Sequence, residues 1–247
     1  MNAQRDGSRS AVNLNELPIE NGFRIRGASM TRVETFADAA FAFAVTLLVI
    51  SVDDVPSSYD EFQTSLKSVP VFFACLGQMI MFWIGHHKWS RLYGLDDLMS
   101  LWLTVFLIAG ILVLVYPLRV VMSLGFGMVS GGWVPVSFDV TAAQVSAIFV
   151  FYGLAFAFLS GIVLGLHVHA WRRRDLLELN ELERFETLKS ITLWTSVSAI
   201  GLLSSLIAVL NPTDQYGLAG WFYWSLFLAI AWVNWRARKR RRALFQL

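Results

Sequence analysis

Arg32-Val-Glu-Thr-Phe36-Ala-Asp38-Ala-Ala-Phe41-Ala-Phe43-Ala-Val-Thr46-Leu-Leu-Val-Ile50 is the stretch whose reading decides the fold. It is apolar, yet it opens on ionisable residues. With Phe36 and Ala37, the run from Ala39 to Val52 is long enough to cross most of a bilayer, and Arg32, Glu34 and Asp38 stand at its entry, where charge is costly. At helical spacing Ala39, Phe43, Thr46 and Ile50 fall four, three and four residues apart and share one stripe. The plain reading of that stripe is packing against neighbouring helices, with the charges resting at the headgroups. Spacing alone does not choose between packing and a functional face.

The rest of the chain has the same character. Of 247 residues 56% are hydrophobic and only 15% charged, with a mean hydropathy of +0.55, which is too apolar for a soluble domain and marks a multi-pass membrane protein whose surroundings are lipid. A net charge of +2 gives no reason to expect a nucleic-acid partner. The single cysteine, Cys75, lies in an apolar run and can form no disulfide within the chain. There is no phosphate-cradling glycine loop and no His-Glu-x-x-His helix, so no enzyme chemistry is expected. His86 and His87 are adjacent and point about 100° apart on a helix, which suits hydrogen bonding to neighbouring helices better than a shared metal. No cofactor is expected.

In chain order, residues 1–30 read as a polar, partly disordered cytoplasmic arm, residues 31–236 as a six-helix transmembrane domain and 237–247 as a basic cytoplasmic tail. The first helix runs from Arg32 to Val52 and is closed by the acidic turn at Asp53 and Asp54. A short amphipathic turn around Phe62 and Leu66 precedes a second helix from Pro70 to Trp89. The third runs from Leu98 to about Leu118, where Pro117 disfavours continuation, and glycine-rich residues 125–139 form an outer loop. The fourth covers Val140 to Ala170. A separate amphipathic connecting helix spans Leu176 to Leu188, and the fifth and sixth spans cover 188–210 and 216–235. Lys and Arg crowd the arm, the Lys88–Arg91 loop, the Arg172–Lys189 loop and the tail, whereas Asp53, Asp54, Asp60, Glu61, Asp139 and Asp214 fall on the opposite loops, and only Lys67 and Arg119 break the pattern. By the positive-inside rule both termini are cytoplasmic.

Arg32-x-x-x-Phe36-Ala37-Asp38 resembles the Arg-x-x-x-Phe-Ser-Asp signature of the transmembrane protein 175 family of potassium channels. Phe41-Ala42, Thr46-Leu47-Leu48-Val49 and Trp83-Ile-Gly-His86-His87-Lys88 are similar to bacterial members as well. The resemblance is closest over residues 32–50 and 83–118 and covers one six-helix repeat. It implies a leak-type, potassium-permeable channel of the bacterial inner membrane, a homotetramer in which four copies of helix one surround the pore. It further implies that Phe43, Thr46 and Ile50 form the pore and selectivity rings, gating by dewetting in place of a carbonyl filter. On the same resemblance, Arg32, Phe36, Asp38, Trp83, His86, His87 and Thr104 are implied to carry the signature and brace the pore helix. Ala37 stands where the signature has Ser, Phe43 where isoleucine is usual, and Thr104 where bacterial relatives tend to carry Asn. The competing expectations are a secondary carrier, which calls for repeated halves and broken mid-membrane helices, or a non-conducting membrane scaffold.

Overall fold

The structure, a computed structural model, describes residues 16–50, 56–136, 140–211 and 217–245. The acidic turn at Asp53 and Asp54, Asp139, Asp214 and the arm up to Asn15 lie outside the described residues. A two-stranded ribbon, β1 (Ile19–Glu20) and β2 (Phe23–Arg24), is followed by helices α1 (Arg32–Ile50), α2 (Tyr59–Lys67), α3 (Val69–Tyr93), α4 (Leu98–Val129), α5 (Ala142–Arg172), α6 (Glu181–Leu210), α7 (Leu218–Trp221) and α8 (Ser225–Phe245). Five stretches have the length and apolar character to cross a membrane: α1, α2 with α3, α4, α5 and α6.

These helices form where the backbone must satisfy its own hydrogen bonds, because hydrocarbon supplies no partner. That constraint overrides the punctuation read at Pro117. The proline lies inside α4, and the helix continues through it to Val129, well past the expected end near Leu118. Leu118 and Val121 beyond the proline are buried in the bundle core, and a break there would leave several backbone groups unpaired in an apolar medium. The outer loop therefore begins at Ser130, with Gly131 (φ 61°) and Gly132 (φ 87°) making the turn.

The expected connecting helix is also revised. Residues 173–178 are turns, and the amphipathic segment after them forms the first turns of α6, which runs unbroken from Glu181 to Leu210. Asn180 starts it: its side chain accepts from the Glu183 N–H while the Glu183 carboxylate accepts from the Asn180 N–H, a reciprocal cap. No glycine or proline lies between Glu186 and Ser190 to break it. At the C-terminal end, residues expected as one span divide into α7, a 3₁₀ turn at Phe222–Trp224 and α8, and α8 stays helical through Arg236–Arg242, where a tail was expected.

The arm gives the largest addition. Asn21 (φ 54°) and Gly22 (φ 85°) form the two-residue loop that joins β1 to β2, in the left-handed conformations a tight hairpin demands. Phe23 and Ile25 are buried, Phe23 among Trp89, Tyr93, Leu166, Ala170 and Leu179.

Two layers hold the bundle. α1 packs on α3 and α4 through Ala37, Phe41, Ala44 and Leu48, and α5 packs most extensively on α6. Small residues let α5 and α6 approach closely. A Cβ on Gly153 would stand 2.7 Å from the Gly201 carbonyl oxygen, and one on Gly201 would stand 2.9 Å from the Gly153 carbonyl oxygen. Ser205 adds a hydrogen bond across the seam to the Val150 carbonyl (3.0 Å). Gly153→Ala should force the helices apart, destabilise the solubilised protein by about 1–3 kcal/mol and lower its melting temperature. Gly125→Ala, where nothing lies within 4 Å, should leave the melting temperature unchanged or raise it.

Candidate functional site

α1 has two unlike faces. Phe41, Ala44 and Leu48 turn into the bundle, whereas Arg32, Phe36, Ala39, Phe43, Thr46 and Ile50 lie along the opposite stripe and are all exposed within the chain. Phe43 keeps 55% and Ile50 67% of its surface open, so nothing in this one chain covers the stripe. The Thr46 hydroxyl donates to the Ala42 carbonyl of its own helix at 3.1 Å, and the residue as a whole is exposed. A bulky apolar side chain, a hydroxyl and a second bulky apolar side chain thus stand in sequence along an uncovered face, with one guanidinium at its entry.

The base of α1 is held by polar contacts. Thr31 and Glu34 form a reciprocal cap, the Glu34 N–H donating to Thr31 Oγ1 (3.2 Å) and the Thr31 N–H to Glu34 Oε2 (2.8 Å). The other Glu34 oxygen accepts from the Ser90 hydroxyl of α3. One turn further, Trp83 Nε1 of α3 donates to Asp38 Oδ1 at 2.8 Å, and His87 stacks on Trp83 with ring centroids 5.1 Å apart. The structure therefore joins Asp38, Trp83 and His87 in one contact chain. His86 turns elsewhere: its Nε2 hydrogen-bonds Thr104 Oγ1 of α4 at 3.0 Å, tying α3 to α4. Arg32 and Phe36 join neither group. Both are exposed on the α1 stripe, and Arg32 has no side-chain partner among the described residues.

Several ties at this end were not anticipated from sequence. Asp97 caps α4 by accepting from the Ser100 N–H and takes a 2.7 Å hydrogen bond from His169 Nε2 of α5. Burial would raise the Asp97 carboxyl, but these donors hold it below the usual carboxylate range. The tie is therefore complete at neutral pH and is lost as pH falls through that lowered value. Tyr93 and Thr187 share a buried hydrogen bond at 2.8 Å. The Glu183 carboxylate receives Arg24 and Arg26 from the ribbon, and the resulting hydrogen bond raises the Arg24 pKa. The Thr31-x-x-Glu34 and Asn180-x-x-Glu183 spacings and the Asn21-Gly22 pair were the available signals. Among the described residues no group of three His, Cys, Asp or Glu is placed to hold a metal.

Residues 32–115, covering α1, α2, α3 and the first part of α4, match the family described as endosomal/lysosomal potassium channel TMEM175. A Marivirga tractuosa protein named potassium channel is 32% identical over 234 residues, spanning 90% of this chain and 94% of that protein. A crystal structure of a variant of the potassium channel MtTMEM175, bound to a nanobody–MBP fusion, superposes with a TM-score of 0.73 at 28% identity, covering 91% of this chain and 99% of that one.

Trp83→Phe keeps an aromatic ring but removes the indole donor to Asp38. Because hydrogen bonds to charged groups are worth about 1.5–3 kcal/mol, the variant should melt measurably below the parent in detergent. Thr104→Val should do the same by leaving His86 Nε2 buried and unpaired, whereas Thr104→Ser, which keeps the hydroxyl, should not.

Proposed function

We propose, from the fact that this chain belongs to the TMEM175 family of potassium channels, that it conducts potassium through a pore lined by the open stripe of α1. The single observation that carries this reading is the uncovered stripe itself. It is continuous from Arg32 to Ile50 and carries a guanidinium at its entry and a threonine at its centre, on a helix whose Phe41, Ala44 and Leu48 pack into the bundle on the opposite side. A homotetramer would bring four such stripes to one axis and cover all of them together. Phe43, Thr46 and Ile50 would then form successive rings, with Phe43 the tightest collar, where stripping water sets the barrier to a cation. The Asp38–Trp83–His87 chain and the His86–Thr104 tie would act as braces that hold α1 at its angle without touching the ion.

In this reading α7 and α8 together make a sixth span, and both termini face the cytoplasm of a bacterial inner membrane. Support comes from the basic residues, since Lys88, Arg91, Arg172–Arg174, Arg184, Lys189 and Arg236–Arg242 all belong to the end that carries the base of α1. In a Cys75→Ser background, a membrane-impermeant thiol reagent added outside should label Ser57→Cys and spare Arg238→Cys. The reverse pattern would invert the topology.

Liposomes under a potassium gradient test conduction. Phe43→Ala should widen the collar, raise potassium flux and weaken discrimination against sodium, while Phe41→Ala, about 200° around the helix and buried, should lower the yield of folded protein and not open the pore. A folded Phe43→Ala protein with parental flux and selectivity would remove Phe43 from the conduction path.

A further inference from the structure

The ribbon preceding α1 is tied down far more firmly than a polar arm requires. Its anchor is Glu183, whose side chain has no exposed surface. One carboxylate oxygen accepts from the Arg24 backbone N–H (2.9 Å), Arg24 Nε (2.9 Å) and Arg26 Nη1 (3.3 Å). The other accepts from Arg24 Nη2 (2.7 Å), Arg26 Nη2 (2.9 Å) and the Asn180 N–H (3.0 Å). A buried carboxylate is tolerable only when its lone pairs are filled and its charge is met, and here two guanidiniums do both. Further ties fix the same segment to other elements: Arg24 Nη2 to the Glu178 carbonyl, Arg26 Nε to the Leu177 carbonyl, and Arg241 Nη2 of α8 to the Asn21 carbonyl.

The segment then runs directly into the base of α1. Arg26 and Gly27 donate from their backbones to the Leu92 and Arg91 carbonyls at the end of α3 (3.4 and 3.0 Å). The approach is so close that a Cβ on Gly27 would lie 2.5 Å from the Ser90 carbonyl oxygen. From Gly27 only four residues remain before α1 begins, and Ser90, on which Gly27 rests, also donates to Glu34 in the first turn of α1. α6, α3 and the start of α1 are thus linked by an unbroken series of polar contacts through residues 18–27.

We propose that this ribbon is a strap that sets the position of the pore helix, with Glu183, Arg24, Arg26 and Gly27 as its positioning residues. The inference rests on the channel reading above, and extends it by coupling the entry of α1 to the α5–α6 layer, which has little contact with α1 of its own. None of these residues lies on the open stripe, so the strap acts on the angle and rigidity of α1 and not on the chemistry of the rings.

Two variants loosen the strap at separate points. Glu183→Gln removes the charge that holds the two guanidiniums, and Gly27→Ala lifts the segment off α3 without touching the ion cluster. Arg174→Gln, at the same end but bonded to Asp175 and Trp171, is the control. Each is purified, its oligomer size is measured, potassium and sodium fluxes are recorded in liposomes, and amide exchange is followed over residues 32–38. The strap predicts parental oligomer yield and potassium-to-sodium ratio in both variants, a change in potassium flux of about threefold or more, and faster exchange at 32–38, with the control unchanged. If both variants assemble and conduct as the parent does, or if neither assembles, the strap merely holds the fold and the proposal is overturned. If one assembles, its flux decides. A parent protein that carries no potassium flux would instead sink the channel reading, and exchange at 32–38 would then decide alone whether the strap holds α1.

Discussion

Helices in hydrocarbon gain nothing from the hydrophobic effect by touching one another, since a lipid tail is as apolar as a leucine. Everything in this bundle depends on what replaces that force. Between α5 and α6 it is close approach, with Gly153 and Gly201 letting the backbones meet and Ser205 bonding across the seam. Between α3, α4 and α1 it is a short list of polar ties, Trp83 to Asp38, Ser90 to Glu34 and His86 to Thr104, concentrated near the end where the charges lie. The two mechanisms differ in consequence. Close packing is unforgiving of volume, whereas polar ties fix angle and register.

This division explains why α1 can have one face committed and the other free. Ala37 and Ala44 let the helix settle against α3 and α4, and its first turns are pinned by side chains that reach it from α3. The stripe from Phe36 to Ile50 is then left with no task inside the chain. An apolar stripe exposed in a monomer is ordinary in lipid. A stripe that carries a guanidinium at its entry and a threonine at its centre, on the helix where the family match begins, is much less so.

Much of this was legible in the sequence. Apolar runs located the helices, with a start near Asp97 and an end at Asn211 close to those observed but the far end of α4 and the start of α6 missed, and the 4-3-4 spacing found the α1 stripe, because both signals are local and periodic. Asp38 and Trp83 were named together only through the family resemblance, and they do meet. What failed was punctuation. Pro117 stops a helix in water because the chain has somewhere else to go. In an apolar bundle it does not, and α4 continues. Adjacency told only that His86 and His87 would bond to neighbouring helices, and it is helix phase that turns His86 to Thr104 on α4. The Arg24–Glu183 contact, 159 residues apart, left no local trace at either end beyond the Asn21-Gly22 turn and the Asn180 cap.

The helices are also of unequal reach. At 1.5 Å per residue the described part of α1, 19 residues, extends about 28 Å, while the 32 of α4 and 31 of α5 extend about 48 and 46 Å against a hydrocarbon core of about 30 Å. The long helices must lean or project to fit that slab. A thinner or thicker bilayer would therefore act on the tilt of α4 and α5, and through the contact of α4 on α1 the lipid composition becomes a mechanical load on α1.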